Sequence, residues 1–108
     1  MSTGLVNNKL RSMNADGAVT ASDREVWFDS TGGALAITIP LASSMPRQTL
    51  TLIDVGGAAN ANNINFTLTT GDTVRGTNTF KIGANYGTVV MSNDGVNKWN
   101  VISNYNGM

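Results

Sequence analysis

Apolar residues fall at every second position in several short runs of this chain. Leu35, Ile37 and Ile39 share one parity, Leu50 and Leu52 share another, and Ile64, Phe66 and Leu68 alternate with Asn65, Thr67 and Thr69. A period of two marks a pleated strand, whose side chains project alternately to opposite faces. Between the runs lie turn residues: Asp29-Ser30-Thr31-Gly32-Gly33, Asp54-Val55-Gly56-Gly57, Thr70-Gly71-Asp72, Asn85-Tyr86-Gly87 and Asn93-Asp94-Gly95. Glycine permits positive φ where the chain reverses, and Asp and Asn bond nearby backbone. The stretch from Trp27 to Gly57 holds two such hinges and is the expected centre of the domain.

Strands are predicted over 18–21, 24–29, 34–39, 48–55, 64–69, 73–75, 79–82, 88–92 and 98–103. Pro40 closes one of them, because proline cannot donate to a ladder. Asn93-Asp94-Gly95 predicts a hairpin, since these residues tolerate the positive φ of primed turns. Val26 and Phe28 face one way and Trp27 the other, which assigns Trp27 to an interface and leaves Trp99 for the core of the last strand. Residues 104–108 form a loose end with Tyr105 exposed. No stretch predicts a long helix. The fold class is all-β: a single-domain β-sandwich or jelly-roll-like barrel of eight or nine short antiparallel strands.

Residues 1–17 do not match the remainder. Leu5, Val6, Leu10 and Met13 fit a helical stripe, but Asn7-Asn8 and Asn14-Ala15-Asp16-Gly17 are poor helix formers. A frayed terminus is one reading. The other is an arm that carries those four apolar anchors to a neighbouring subunit or to a capsid surface. Four apolar side chains in nine positions are many for a tail kept in water, and this favours the arm. The chain therefore divides into an N-terminal arm, 1–17, and a β-domain, 18–108.

Composition narrows the function more than it names it. The 108 residues carry 7 basic and 7 acidic groups, for a net charge of zero. No nucleic-acid partner is expected, since binding to phosphates needs a basic surface; no membrane partner is expected for the same reason. No stretch approaches the roughly 20 apolar residues of a membrane span, and the start Met-Ser-Thr-Gly-Leu lacks the basic head and apolar run of an export signal. Cysteine and histidine are both absent. That removes disulfides, thiolate metal sites, the commonest general base and the commonest metal ligand. Charged residues make up 13%, against about 25% ordinarily, and Asn, Thr, Ser and Gly take their place. Such a surface suits a protein that works in an assembly, or outside the cell, better than a typical cytosolic enzyme.

Catalysis would have to rest on carboxylates. The acids are Asp16, Asp23, Glu25, Asp29, Asp54, Asp72 and Asp94. Most stand in turns, where Asp accepts bonds from nearby amides. Asp29 and Asp54 end adjacent apolar strands, yet nothing in the sequence makes them a tuned acid/base pair of the kind glycosidases use. No enzyme is expected. Asn93, Asp94, Asn97 and Asp72 offer oxygens that calcium accepts, but the spacing does not match a twelve-residue calcium loop. The pairs Gly32-Gly33 and Gly56-Gly57 lack the helix and lysine of a phosphate loop. No cofactor and no metal is expected. Trp27, Trp99, Tyr86 and Tyr105 could stack on sugars if exposed together; core and interface roles compete with that.

Asp29-Ser-Thr-Gly-Gly-Ala-Leu-Ala-Ile-Thr-Ile-Pro40, Gln48-Thr-Leu-Thr-Leu-Ile-Asp-Val-Gly-Gly57, Asn62-Asn-Ile-Asn-Phe66, and Tyr86-Gly-Thr-Val-Val90 with Asn93-Asp-Gly95 before Trp99 resemble a module of tailed-bacteriophage virion proteins. Such modules occur in tail fibres, other appendages and small stand-alone structural proteins. The resemblance covers about residues 18–103 and rests on pattern. It implies a β-rich domain working as a symmetric homo-oligomer, a trimer being favoured, and it transfers no catalytic residue. Together with the small neutral chain, it leads to a virion structural protein: a capsid decoration or cement protein that binds the head surface and stabilises the shell. Its partners would be copies of itself and the major capsid protein or another virion protein, in a virion assembled in the host cytoplasm. The alternative is a tail-fibre, collar-fibre or receptor-binding module recognising host surface glycan.

Overall fold

The structure, a computed structural model, describes residues 10–105. These residues form ten strands: β1 (Leu10–Met13), β2 (Gly17–Ala18), β3 (Glu25–Phe28), β4 (Leu35–Ile39), β5 (Leu50–Asp54), β6 (Ile64–Leu68), β7 (Thr73–Val74), β8 (Thr79–Ile82), β9 (Thr88–Asn93) and β10 (Lys98–Tyr105). A single 3-10 turn, Ala42–Ser44, is the helical exception among them. The chain is all-β.

The strands build two sheets, one of order β1-β3-β5-β9-β10-β7 and one of order β2-β4-β6-β8. Through β6 the chain alternates between them, odd strands joining the first sheet and even strands the second. Each return lands parallel to the previous strand of its sheet, as in β1/β3, β3/β5, β2/β4 and β4/β6. The path is thus a coil, and every turn lays one strand in each sheet. Its last layer reverses: β9 runs antiparallel to β5 and β8 antiparallel to β6.

This corrects the expectation of antiparallel strands. Of the eight pairings among the described residues, five are parallel and three antiparallel. Among the described residues the strands number ten, against the eight or nine expected. The cause lies in what period two encodes. It fixes which face of a strand is buried and leaves the direction of the neighbour free. The Asp/Gly segments after Phe28 and Asp54 resemble reversals within one sheet, but they carry the chain across to the other. Only the Asn93-Asp94-Gly95 segment makes the hairpin expected of it, joining β9 to β10 with Gly95 at φ 79°.

The inward parities of both sheets meet in one core. Val26, Phe28, Leu50 and Leu52 come from the six-stranded sheet, and Leu35, Ile37, Ile39 and Ile64 from the other, all buried. Phe28 meets Phe66 edge to face with ring centroids 5.3 Å apart, tying sheet to sheet, and Phe66 stacks on Phe80 at 4.7 Å. Trp99 is buried in β10, the core position expected for it.

The coil's first turn is sealed by charge. Arg11 sits in register with buried Val26, on the inward side of edge strand β1. Its guanidinium donates to the Asp23 carboxylate at 2.9 Å and to the Ala18 carbonyl at 2.6 Å. A charged group aimed inward on an edge strand discourages another strand from adding there. Of the residues assigned to the arm, Leu5 and Val6 lie outside the described residues. Leu10 and Met13 belong to β1, where Leu10 is exposed and Met13 packs against the core.

Candidate interaction surface

The two sheets present unequal outer faces. On the four-stranded sheet the outward positions are Ala36 and Thr38 on β4, Asn65 and Thr67 on β6, and Thr79 and Lys81 on β8, all exposed. Hydroxyls, amides and one ammonium face water there. The six-stranded sheet differs because β5 and β9 are apolar at both parities. In β5, Leu50 and Leu52 enter the core while Ile53 faces out; in β9, Val89 and Met91 enter while Val90 faces out.

The strand register assembles these outward side chains into rows. One row runs Ser12, Trp27, Ile53, Thr88, Tyr105 across β1, β3, β5, β9 and β10. The row beside it runs Leu10, Glu25, Thr51, Val90, Ser103. Val55 continues the outward parity of β5 past its end and is exposed. Trp27 and Tyr105 stand three strand spacings apart, about 14 Å. The result is a face of aromatic, aliphatic and hydroxyl side chains that is sparse in charge. Its one carboxylate within the rows, Glu25, accepts a hydrogen bond from the Trp27 indole N–H, which also holds the ring against the sheet. A shallow groove of about 320 Å³, lined by Ser12, Met13, Asn14, Trp27, Asp29 and Val55, borders it.

At the upper margin of this face a buried carboxylate fixes the loops. Asp54 accepts bonds from the backbone N–H groups of Gly57 at 3.1 Å, Ala59 at 3.1 Å and Tyr86 at 3.0 Å. Tyr86 is held at φ 61°, in the left-handed region, with its ring exposed over Gly57. A β-carbon on Gly57, which sits at φ 71°, would lie 2.3 Å from the ring, so any other residue there must adopt a strained backbone and displace the ring.

The acids expected in turns are there. Asp29 accepts from the Thr31 amide and hydroxyl, at 3.0 and 2.8 Å. Those two donors hold its carboxyl below the usual range. Asp94 accepts three amides, from Val96, Asn97 and Lys98, and the Lys98 amide leads in lowering its carboxyl. Burial pushes Asp23 up, but its bonds from Arg11 and the Thr20 amide outweigh that and leave it below the usual range. Asp72 accepts from the Ala42 amide and Asp16 from the Ala36 amide. Asp54 ends β5 and Asp29 follows the end of the neighbouring β3, but Asp54 is buried while Asp29 is only half-buried and bonds Thr31 in the loop. They do not face one another. Of the oxygens considered for calcium, Asn93 Oδ1 likewise accepts the Arg47 and Gly95 amides. No group of three or more potential ligand side chains gathers among the described residues.

Comparison with models of known protein families gives no match, and comparison with curated proteins gives none either.

Of the residues singled out from sequence, Leu10, Trp27 and Tyr105 share the outer side of the six-stranded sheet, while Met13 turns inward beside it. Tyr105 ends β10 and is not part of a loose tail. Sequence reading passed over Ile53, Val55 and Val90. The signal was present in Leu50-Thr51-Leu52-Ile53 and Val89-Val90-Met91, where both parities are apolar and both faces therefore need cover.

Proposed function

We propose that this protein is a structural component that works by surface contact, with the outer face of the six-stranded sheet as its contact surface. The observation that carries this is the inequality of the two outer faces: one is dressed in Thr, Asn and Lys, and the other presents Trp27, Ile53, Val90 and Tyr105. Contiguous apolar patches on a small domain mark interaction sites. The carboxylates of Asp16, Asp23, Asp29, Asp54, Asp72 and Asp94 are all committed to backbone or to Arg11, which gives a contact role more support than a chemical one. We read the two packed sheets as a sandwich wound in a short coil.

The resemblance to phage virion modules gives this role a place. In this reading the protein is a head decoration or cement protein, acting as a symmetric oligomer, a trimer being favoured, on a shell of capsid protein. Burying the apolar face there adds stability without any reaction. The exposed aromatics Trp27, Tyr86 and Tyr105 favour a second reading, a fibre or collar module that stacks host glycan on them. A copy count separates the two. Quantitative mass spectrometry of purified particles of the phage that encodes the chain should find on the order of hundreds of copies for a shell protein. A handful per particle would favour the fibre, and absence from the particle would end both.

A further inference from the structure

We propose that the groove beside Trp27 binds a neutral sugar, a hexopyranose stacked on the indole and hydrogen-bonded by Ser12, Asn14 and Asp29. The inference rests on the second, glycan reading above; it says where on the molecule the sugar sits and which charge class it belongs to.

The groove sets an aromatic ring beside unengaged polar groups. Ser12, Asn14, Trp27, Asp29 and Val55 all line it. The ladder continues past both strand ends, since the Asp29 N–H donates to the Met13 carbonyl and the Val55 N–H to the Phe28 carbonyl, each at 3.0 Å. Those bonds fix Asp29 and Val55 relative to Trp27. Among the described residues the side chains of Ser12 and Asn14 bond nothing, and Asp29 spends only Oδ1, on the Thr31 amide and hydroxyl. Its Oδ2 remains an acceptor. A hydroxyl, a carboxamide and a carboxylate oxygen beside an indole match a pyranose, whose rim of hydroxyls gives and takes hydrogen bonds while its C–H face lies on the ring.

The platform is fixed in advance. The Trp27 indole N–H donates to Glu25, and the side chain is still 37% exposed. With its one donor spent there, the indole offers a ligand its apolar surface. Binding then orders no loose ring, which favours a small polar ligand that has little binding energy to spare.

A second ring stands along the same margin. Tyr86 lies two residues before Thr88, which is in register with Ile53, so it is two strands from Trp27 and about 10 Å across. The Asp54 carboxylate holds its backbone at φ 61°, with the ring resting on Gly57. A non-glycine residue kept in that region is strained, and such strain clusters at ligand sites. Between the two rings, a β-carbon on Gly56 would stand 2.3 Å from Asp29 Oδ1, so the floor there is bare backbone. The margin therefore has room for a second, linked sugar.

Charge selects among sugars. Asp29 is the only ionisable group lining the groove, and its Thr31 donors keep it ionised at neutral pH. A neutral sugar hydroxyl gains a charged acceptor there. A sialic or uronic acid meets a like charge.

Nuclear magnetic resonance titration of the isotope-labelled full chain tests this. The probes are methyl glycosides of glucose, galactose, mannose and N-acetylglucosamine, the disaccharides lactose and maltose, and N-acetylneuraminic acid. At least one neutral sugar should shift the Trp27 indole and Asn14 carboxamide resonances with a Kd of about 1–10 mM, while the indole of buried Trp99 stays still. Trp27→Ala should weaken binding at least about 10-fold and Asp29→Asn about 3–10-fold. Tyr86→Ala should weaken a disaccharide more than a methyl glycoside, and Thr67→Ala on the four-stranded sheet should change nothing. Circular dichroism confirms that the variants fold; if Trp27→Ala does not, Trp27→Leu keeps the apolar cover without the ring and serves in its place. The proposal is overturned if no neutral sugar shifts Trp27 at about 50 mM, if N-acetylneuraminic acid binds as well as the best neutral sugar, or if the Trp27 variant binds undiminished. A sugar that shifts Tyr105 and not Trp27 also overturns this site and leaves the glycan reading standing. A sugar bound at Trp27, in a chain present at hundreds of copies per particle, keeps the site and removes the fibre reading.

Discussion

Asp54→Ala is the substitution on which the structural reading of the carboxylates is most exposed. The Asp54 side chain is fully buried and takes amide hydrogens from three separate positions, Gly57, Ala59 and Tyr86. It thereby joins the loop after β5 to the turn before β9. Hydrogen bonds to a charged acceptor contribute about 1.5–3 kcal/mol each. Three bonds share one carboxylate here, and water can enter the space left by truncation, so the total loss should be about 3–5 kcal/mol. A domain of this size is stable by about 5–15 kcal/mol and shifts by about 4–8 °C per kcal/mol. The melting temperature should fall by roughly 12–40 °C. Asp54→Asn keeps the shape and one acceptor oxygen but turns an N–H₂ group towards an amide donor, and about 2 kcal/mol should be lost. Urea unfolding followed by circular dichroism measures both, and an unchanged m-value would confirm that the loss lies in stability. A loss below about 1 kcal/mol in the alanine variant would refute the reasoning, because a carboxylate free to be discarded is not holding the loops.

Three further outcomes follow from the same geometry. Asp23, Asp29 and Asp94 lie below their ordinary value of 3.8 in the folded chain, so the unfolded chain binds protons more readily. The stability they lend is complete above that value and is lost as pH falls through the folded values. Urea midpoints should thus be flat from neutrality to about pH 5 and drop below it, and Arg11→Ala should cost about 1–3 kcal/mol at neutral pH and shallow the drop. Gly57→Ala meets both a φ of 71° and the Tyr86 ring, and should cost about 2–3 kcal/mol against about 1 for Gly71→Ala, where φ is 100° but the space is open. Adding Tyr86→Ala should recover part of the Gly57→Ala loss in a thermal melt. Asn93→Ala removes bonds to Arg47, Gly95 and Met45; about 2–3 kcal/mol should go, with faster hydrogen exchange at the Arg47 and Gly95 amides.

Most strands were legible in the sequence, because alternation such as Ile64-Asn65-Phe66-Thr67-Leu68 has no other sound reading. Their partners were not. Whether β5 lies beside β3 or β4 depends on where the chain crosses between sheets, and Asp54-Val55-Gly56-Gly57 looks the same for a reversal as for a crossing. Leu10–Met13 escaped because a short strand ending in Asn14-Ala15-Asp16-Gly17 has too few positions to show a period; its strand character comes from pairing with Glu25–Phe28. The turn role of the acids was legible from their Gly, Asn and Ser neighbours. The proposed contact face was legible only in part. Trp27 announced itself by parity, whereas Ile53 and Val90 were hidden in runs that read as plain core.

Oxidative footprinting of the chain, dispersed at low concentration and then in its assembled state, examines the contact surface most directly. Trp27 and Tyr105 should be readily oxidised when dispersed and strongly protected on assembly, while peptides from β4 and β6 of the polar sheet react equally in both. Equal reactivity of Trp27 and Tyr105 in the two states, or protection confined to the polar sheet, would contradict the account.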